Sequence, residues 1–135
     1  MAKYAQIVGA ILMLAMTSAG LAQSPRETAI RAVIAHQLEA LNRGDGAAAF
    51  GFASPAIQSL FGDVTNFMRM VEHGYPQIYR SRAHRFLKLD DADGRLLQRV
   101  LVESDAGTVV ASYEMVEIDG AWRINGCSIE LLDGA

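Results

Sequence analysis

The fold of this chain is decided by residues 109–124, which read Val109-Val110-Ala111-Ser112-Tyr113-Glu114-Met115-Val116-Glu117-Ile118-Asp119-Gly120-Ala121-Trp122-Arg123-Ile124. Two runs rich in β-branched and aromatic residues flank Asp119-Gly120, and this arrangement is the strongest short-range signal for a β-hairpin. Aspartate and glycine tolerate the positive φ angles that a tight turn requires. The segment therefore predicts two antiparallel strands. The helices predicted before them need a sheet of this kind to pack against.

Residues 1–22 have the pattern of a signal peptide. A basic start is followed by an apolar run over residues 7–16, and the small residues Gly20 and Ala22 then supply a cleavage site. A helix that spans a membrane needs about 20 apolar residues, so this run predicts export rather than a stable anchor. We expect a periplasmic or secreted product with a single domain over residues 23–135, and an uncleaved anchor is the alternative.

Composition narrows the range of partners and cofactors. The formal net charge is −3, which argues against a nucleic-acid partner because phosphates would require a basic face. The turn at residues 90–94 is rich in aspartate, but Leu89 and Val100 fall at the first and last ligand positions of a calcium loop. We therefore predict neither a metal site nor a cofactor. Cys127 is the only cysteine, so no internal disulfide can form.

The first half of the chain carries the start and stop signals of four helices. Ser24-Pro25 with Glu27 forms a capping box at the first start. Apolar residues at helical spacing follow the first and the last of these starts, as in the stripe Val64, Phe67, Met68 and Val71. The remaining caps and stops are Asn42-Arg43-Gly44, Asp45, Ser54-Pro55, Gly62, Asp63 and Gly74. Residues 75–80 then link the helices to the sheet and are expected to form a rim.

The second half predicts an antiparallel meander. Strands over residues 82–89 and 95–103 precede the hairpin, and turns rich in Asp and Gly separate them. Uninterrupted alternation along the last strand places Trp122 and Ile124 on one face and sets Arg123, Asn125, Cys127 and Ile129 on the other. Apolar residues occur on both faces of several strands. We expect helices to cover one face, and a second subunit, giving a homodimer through the sheet, is one candidate for the other.

The order of these elements is typical of an α+β fold, the cystatin-like cone, in which N-terminal helices pack on a curved antiparallel sheet of about four strands. Two motifs resemble the nuclear-transport-factor-2-like superfamily, which has this fold. They are the helix junction Asn42-Arg43-Gly44-Asp45-Gly46-Ala47-Ala48-Ala49-Phe50 and the final hairpin Asp119-Gly120-Ala121-Trp122-Arg123-Ile124. The resemblance implies that residues 23–135 form one domain of that superfamily.

A closer resemblance covers residues 27–130. It is carried by Phe50-Gly51-Phe52-Ala53-Ser54-Pro55, Phe67-Met68-Arg69-Met70-Val71, Gly74-Tyr75-Pro76-Gln77-Ile78-Tyr79-Arg80 and Trp122-Arg123-Ile124-Asn125-Gly126-Cys127. These segments resemble the bacterial family called domain of unknown function 4864, which implies an exported cone-fold protein without indicating an activity. The broader superfamily includes ketosteroid-isomerase-like and polyketide-cyclase-like enzymes with an Asp or His base inside the cone. No position of this chain matches such a base, and fold alone does not transfer function.

Ligand binding is the first functional hypothesis. A cone can hold a small apolar ligand while a few polar groups orient it. The candidate lining residues are Tyr75, Tyr79, Tyr113, Trp122 and Asn125. Strand alternation places some of them on opposite faces, so they do not all line one cavity. Core packing is the alternative role for Tyr113 and Trp122, because aromatic side chains commonly fill cores.

Catalysis and partner binding are the other two hypotheses. An acid–base enzyme of isomerase, lyase or hydrolase type needs a titratable group inside the cone. His84 is the candidate base, because it lies on a strand beside Arg82 and Arg85, and exposure on that strand is its alternative role. A protein partner could instead bind the apolar outer side of the sheet or the basic strand. From the sequence we favour binding of a ligand or partner over catalysis.

Overall fold

The computed structural model describes residues 23–132, and five helices precede four strands. The predicted signal peptide, residues 1–22, lies outside the described residues. No helix within residues 23–132 has the length and apolar character that crossing a membrane requires. The elements are α1 (Pro25–Asn42), α2 (Gly46–Gly51), α3 (Pro55–Phe61), α4 (Val64–Gly74), α5 (Pro76–Tyr79), β1 (Ser81–Ala92), β2 (Arg95–Ser104), β3 (Gly107–Ile118) and β4 (Ala121–Leu131).

The four predicted helices are confirmed, and each begins at a side chain that caps it. The Ser24 hydroxyl accepts a hydrogen bond from Glu27 N at 3.2 Å, which satisfies one of the free N–H groups at the start of α1. The starts of α2, α3 and α4 are capped in the same way by Asp45, Ser54 and Asp63. These contacts join residues close in sequence, which is why the caps could be read directly from it.

Helix α5 was not predicted. It occupies the segment that the sequence indicated as a link and rim, where Pro76 supplies the φ angle of a first helical turn. Gln77 and Ile78 are buried, and Gln77 Nε2 donates to Ala106 O at 3.3 Å. This single turn therefore ties the end of the helical half to the turn between β2 and β3.

The sheet is a four-stranded antiparallel meander in the order β1-β2-β3-β4, so the α+β fold class is confirmed. Asp119 and Gly120 have φ angles of 50° and 80°, as the predicted hairpin turn requires. The strands are interrupted by register shifts between Phe86 and Leu89 in β1 and between Glu114 and Met115 in β3. Such bulges bend a sheet, and this sheet curves around the helices.

The core lies between α1 and one face of the sheet, which we call the inner face. Ile30, Ile34 and Leu38 project from α1 at helical spacing and are almost completely buried. Burial of each such side chain stabilises the fold by roughly 1.5–3 kcal/mol. The buried residues of the inner face are Gln98, Val100 and Val102 of β2, Val109, Ala111, Tyr113 and Met115 of β3, and Ile124 of β4.

A bulge in β4 corrects the predicted face of Cys127 and Ile129. Met115 pairs with Ile124, whereas its neighbour Glu114 pairs with Gly126, so the intervening Asn125 has no partner opposite it in β3. This extra residue shifts the alternation of side chains by one position. Cys127 pairs with the buried Tyr113 and therefore lies on the inner face. The prediction was wrong because it counted alternation without an interruption.

The opposite face of the sheet, the outer face, mixes apolar and charged side chains. Its half-buried apolar residues are Leu97, Leu101, Val110 and Val116. Cross-strand ion pairs lie beside them, with 2.8 Å between Arg95 Nε and Glu114 Oε1 and 3.0 Å between Arg99 Nε and Asp90 Oδ2. Ion pairs whose cations are exposed to solvent contribute little to stability, because water screens the charges and ordering the side chains costs entropy. The homodimer expected through this face stays a prediction.

Candidate functional site

A cavity of about 240 Å³ lies between the helices and the inner face of β3 and β4. Most of its lining is aliphatic or aromatic, and no Asp, Glu, Lys, Arg or His is among the described residues that form it. The lining residues are Gln37, Leu41, Ala53, Ile57, Leu60, Phe61, Phe67, Met70, Val71, Tyr75, Ile78, Tyr113, Ile124, Gly126 and Cys127. The cavity therefore offers an uncharged and mainly apolar environment.

The wall formed by α3 is fixed in place by β4. Ser54 N donates to Ile124 O at 2.8 Å, and Ile124 N donates to Phe52 O at 2.9 Å. These bonds attach the segment before α3 to the strand. Helix α3 has no buried residue of its own, although Ile57, Leu60 and Phe61 line the cavity. The helix is therefore held by this anchor at its N-terminus and by the contacts of the half-buried Ile57 and Phe61 with the core.

The bulge residue Asn125 completes this anchor. The Ser54 hydroxyl donates to Asn125 Oδ1 at 2.7 Å and also caps α3 by accepting from Ile57 N at 3.3 Å. Asn125 Nδ2 in turn donates to Glu114 Oε2 at 3.3 Å. The irregularity that turns Cys127 toward the cavity thus also positions the helix that covers it. Asn125 itself does not line the cavity.

Tyr75 joins the helical half to β4 at the other side of the cavity. Its hydroxyl donates to Cys127 O at 2.7 Å, which satisfies a backbone carbonyl close to the bulge. Burial, together with the neighbouring Cys127, raises the pKa of Tyr75. The phenol is therefore neutral at physiological pH and acts as a hydrogen-bond donor.

Tyr75, Tyr113 and Cys127 together form what we call the polar end of the cavity. The Tyr113 side chain is 1% exposed, and its hydroxyl has no hydrogen-bond partner among the described residues. The Cys127 thiol, a weakly hydrogen-bonding group, lies beside this hydroxyl and interacts with it. Burial raises the pKa of Tyr113 well above its ordinary value and that of Cys127 to about 12. All three groups are neutral at physiological pH.

Comparison with known proteins gives a family. Residues 23–134 match the model of the family described as Domain of unknown function (DUF4864). The chain belongs to the DUF4864 family. The family resemblance inferred from the sequence over residues 27–130 is therefore confirmed. No curated protein matches the chain.

In this DUF4864 protein, two of the five residues predicted to bind a ligand line the cavity. Tyr75 and Tyr113 meet at its polar end. Tyr79 is half-buried on α5, where the Arg80 guanidinium lies 5.2 Å from its ring centre, and Trp122 is half-buried near the hairpin end of β4. Asn125 lies at the bulge of β4, where it accepts the hydrogen bond from the Ser54 hydroxyl that anchors α3. Only Tyr75 and Tyr113 therefore lie at the cavity, and the other three predicted residues lie outside its lining.

The predicted catalytic candidate lies elsewhere in the fold. His84 is exposed on β1, the edge strand, with its ring 5.3 Å from that of Phe86. It is not among the residues that line the cavity. Its role as a base stays a prediction.

Several lining residues of the DUF4864 protein were not predicted. Cys127 was missed because the bulge was not visible in the sequence. Gln37 is the polar interruption on the apolar face of α1, and it donates from Nε2 to Ala49 O at 3.1 Å. A buried polar residue within an apolar stripe is the signal that pointed to it, because such residues need partners inside the fold.

Proposed function

We propose that this DUF4864 protein binds a small, uncharged and largely apolar ligand in the cavity. The observation that carries the proposal is an apolar chamber with a neutral polar end, which is the common design of small-molecule sites. We further propose that the domain belongs to the nuclear-transport-factor-2-like superfamily, on the order of its elements and the two motifs quoted above. Export to the periplasm or the exterior is proposed from residues 1–22 alone.

The volume of the cavity limits the size of the ligand. An apolar cavity of about 150 Å³ inside a protein binds benzene. The cavity here measures about 240 Å³, so it suits a single ring that carries a short substituent. Phe67, Met70 and Ile124 supply the apolar contacts that such a ring requires.

The composition of the lining limits the charge of the ligand. Moving an ion from water onto an apolar surface is unfavourable even where the site is partly open to solvent, unless an opposite charge compensates it. No charged side chain is among the described lining residues, and the groups at the polar end are neutral. The ligand we propose is therefore neutral.

The same observations favour binding over acid–base catalysis. A general base must hold a lone pair that can take a proton near the operating pH. Burial raises the pKa values of Tyr113 and Cys127, which keeps both groups protonated and makes them poor bases. A carboxylate or imidazole would have to come from outside the described lining, and His84 is exposed on β1.

Calorimetric titration with α-methylstyrene tests the proposed function. This compound is a neutral single ring with a short branched substituent, and we expect saturable binding to one site with a Kd on the order of 0.1 mM. Its carboxylate analogue, 2-phenylacrylate, has a similar shape and carries one negative charge. We expect it to bind at least about tenfold more weakly because its desolvation is uncompensated. Absence of saturable heat with α-methylstyrene, or equal binding of the anion, would contradict the proposal.

A further inference from the structure

The edge of the sheet that β1 forms is uncovered. β1 is the first strand in the order β1-β2-β3-β4, so one of its two sides has no strand beside it. The other edge strand, β4, is partly covered, because Ser54 N and Phe52 O bond to the backbone of Ile124. No backbone hydrogen bond of this kind reaches the free side of β1 within residues 23–132. An uncovered edge presents unpaired N–H and C=O groups, which a further strand can bind.

The charges of β1 are divided between its two halves. The basic pair His84 and Arg85 lies before the centre of the strand, and the acidic pair Asp90 and Asp91 lies after it. His84, Arg85 and Asp91 are exposed and form no ion pair with any described residue. Asp90 is half-buried and binds two basic side chains of its own chain. A strand with this charge pattern is complementary to a copy of itself that runs in the opposite direction.

The bulge in β1 brings these opposite charges onto matching faces. Phe86 lies opposite Val100 of β2, and Leu89 lies opposite Gln98, so β1 has one extra residue over this stretch. The alternation of side chains therefore shifts by one position at the bulge. Two residues on either side of it share a face when their numbers differ by an odd number.

The basic and acidic pairs satisfy this condition. His84 and Asp91 share the inner face, and the neighbouring Arg85 and Asp90 share the outer face. We propose that β1 pairs antiparallel with β1 of a second copy of this chain, about a twofold axis between residues 87 and 88. In this register, Arg85 lies opposite Asp90 of the partner subunit, and His84 lies opposite Asp91 of the partner subunit.

The charge pattern selects this register and this partner. A shift by two residues, which preserves the faces, places Arg85 opposite Lys88 or Ala92, so its acidic partner is lost. In-register parallel pairing brings like charges side by side, which is unfavourable. Charged side chains on an edge strand ordinarily prevent pairing with other strands. A second copy is different, because it supplies the opposite charges at the required positions.

This interface goes beyond the proposed function and is independent of it. No β1 residue is among the described residues that line the cavity. The twofold axis closes the assembly as a dimer and joins the two four-stranded sheets at their edges. The outer face of each sheet stays uncovered, so this dimer differs from the one expected through that face.

Sedimentation velocity of the purified protein over a range of concentrations tests the proposed dimer. A single pair of strands buries less surface than a standard interface, so we expect a reversible dimer with a Kd on the order of 10 µM. In an acidic variant, His84→Glu with Arg85→Glu, both glutamates face aspartates of the partner subunit. A basic variant, Asp90→Lys with Asp91→Lys, brings basic residues together instead. We expect each variant alone to dimerise at least about tenfold more weakly, and an equimolar mixture to form heterodimers with about the wild-type affinity.

Arg69→Glu with His73→Glu is the matched control. It replaces the same two residue types by glutamate at exposed positions of α4, so the net charge changes equally but β1 is intact. We expect its Kd for dimerisation to stay within about twofold of the wild-type value, because additive surface changes away from an interface leave affinity nearly unchanged.

Hydrogen exchange gives a second measurement, which uses only the wild-type protein and so does not depend on how the variants fold. As the concentration rises above the Kd, the backbone amides at the free edge of residues 82–91 become bonded to the partner strand. We expect their exchange to slow. The amides of β4, the edge strand outside the proposed interface, should exchange at the same rate at every concentration.

The outcomes decide between pairing through β1 and its absence. Weaker dimerisation of each charge variant, with recovery in their mixture and slower exchange in β1, supports the proposal. A protein that stays monomeric up to about 1 mM overturns it. A dimer that the charge variants weaken no more than the α4 control, or that leaves exchange in β1 unchanged, also overturns it, because the contact then lies elsewhere. None of these results alters the proposed binding of a ligand in the cavity.

Discussion

Insertion of an alanine between Gly126 and Cys127 is expected to lower the free energy of unfolding by more than about 3 kcal/mol, since the loss of even one large buried aliphatic contact costs roughly 2–5 kcal/mol. The inserted alanine would take the place opposite Tyr113, and each later residue of β4 would move by one position and change faces. Cys127 and Ile129 would leave the inner face, and Ser128 and Glu130 would turn toward the core. The fold has no partner there for a buried carboxylate.

Asn125→Ala is the matched control, because it keeps the residue count and removes only the side chain. It loses the bonds to Ser54 and Glu114, so we expect a cost of about 1–2 kcal/mol. Urea unfolding followed by circular dichroism measures both variants. If the insertion destabilises no more than the alanine substitution, the register of β4 after the bulge does not hold these residues in the core.

The substitution Ile57→Trp is expected to weaken binding of α-methylstyrene at least about tenfold while leaving the fold intact. Ile57 lines the cavity from the first turn of α3, and its own N–H bonds to the Ser54 hydroxyl that anchors the helix. An indole at this anchored position would occupy space that the ligand needs. Ile57 is half-buried and packs against the core, and the open volume of the cavity beside it gives the larger side chain room without displacing its neighbours.

Ser59→Trp makes the same addition on the same helix, at an exposed residue that does not line the cavity. We expect its Kd for α-methylstyrene to match that of the wild-type protein. Calorimetric titration of the two variants compares them directly. Equal affinity in Ile57→Trp and Ser59→Trp would show that the ligand binds elsewhere.

The parts of this fold that were predictable are those decided by neighbours in sequence. Ser24 caps α1 through a bond to Glu27, three residues away, and Asp119-Gly120 turns the chain within its own hairpin. The bulge at Asn125 is different, because it is defined by which residues of β3 lie opposite. That register depends on the whole sheet, so counting alternation along one strand could not find it.

The site was predictable in a more limited way. The sequence indicated Tyr75 as an amphipathic residue of the predicted rim and Tyr113 as one of a predicted strand. Both residues line the cavity. Which apolar residues leave space between them depends on how α3 and α4 sit on the sheet. Periodicity marks Ile57 and Met70 as helix residues, but it does not distinguish a filled core from a cavity wall.

The most direct test of ligand binding in this cavity is a titration of protein labelled with ¹³C at its isoleucine and valine methyl groups. On addition of α-methylstyrene, we predict saturable changes in the chemical shifts of Ile78, Ile124 and Val71, which line the cavity. The methyl signals of Val110 and Val116 on the outer face should not change. Shifts confined to the outer-face methyl groups, or no saturable shift at Ile78, Ile124 and Val71, would contradict the assignment of the cavity as a binding site.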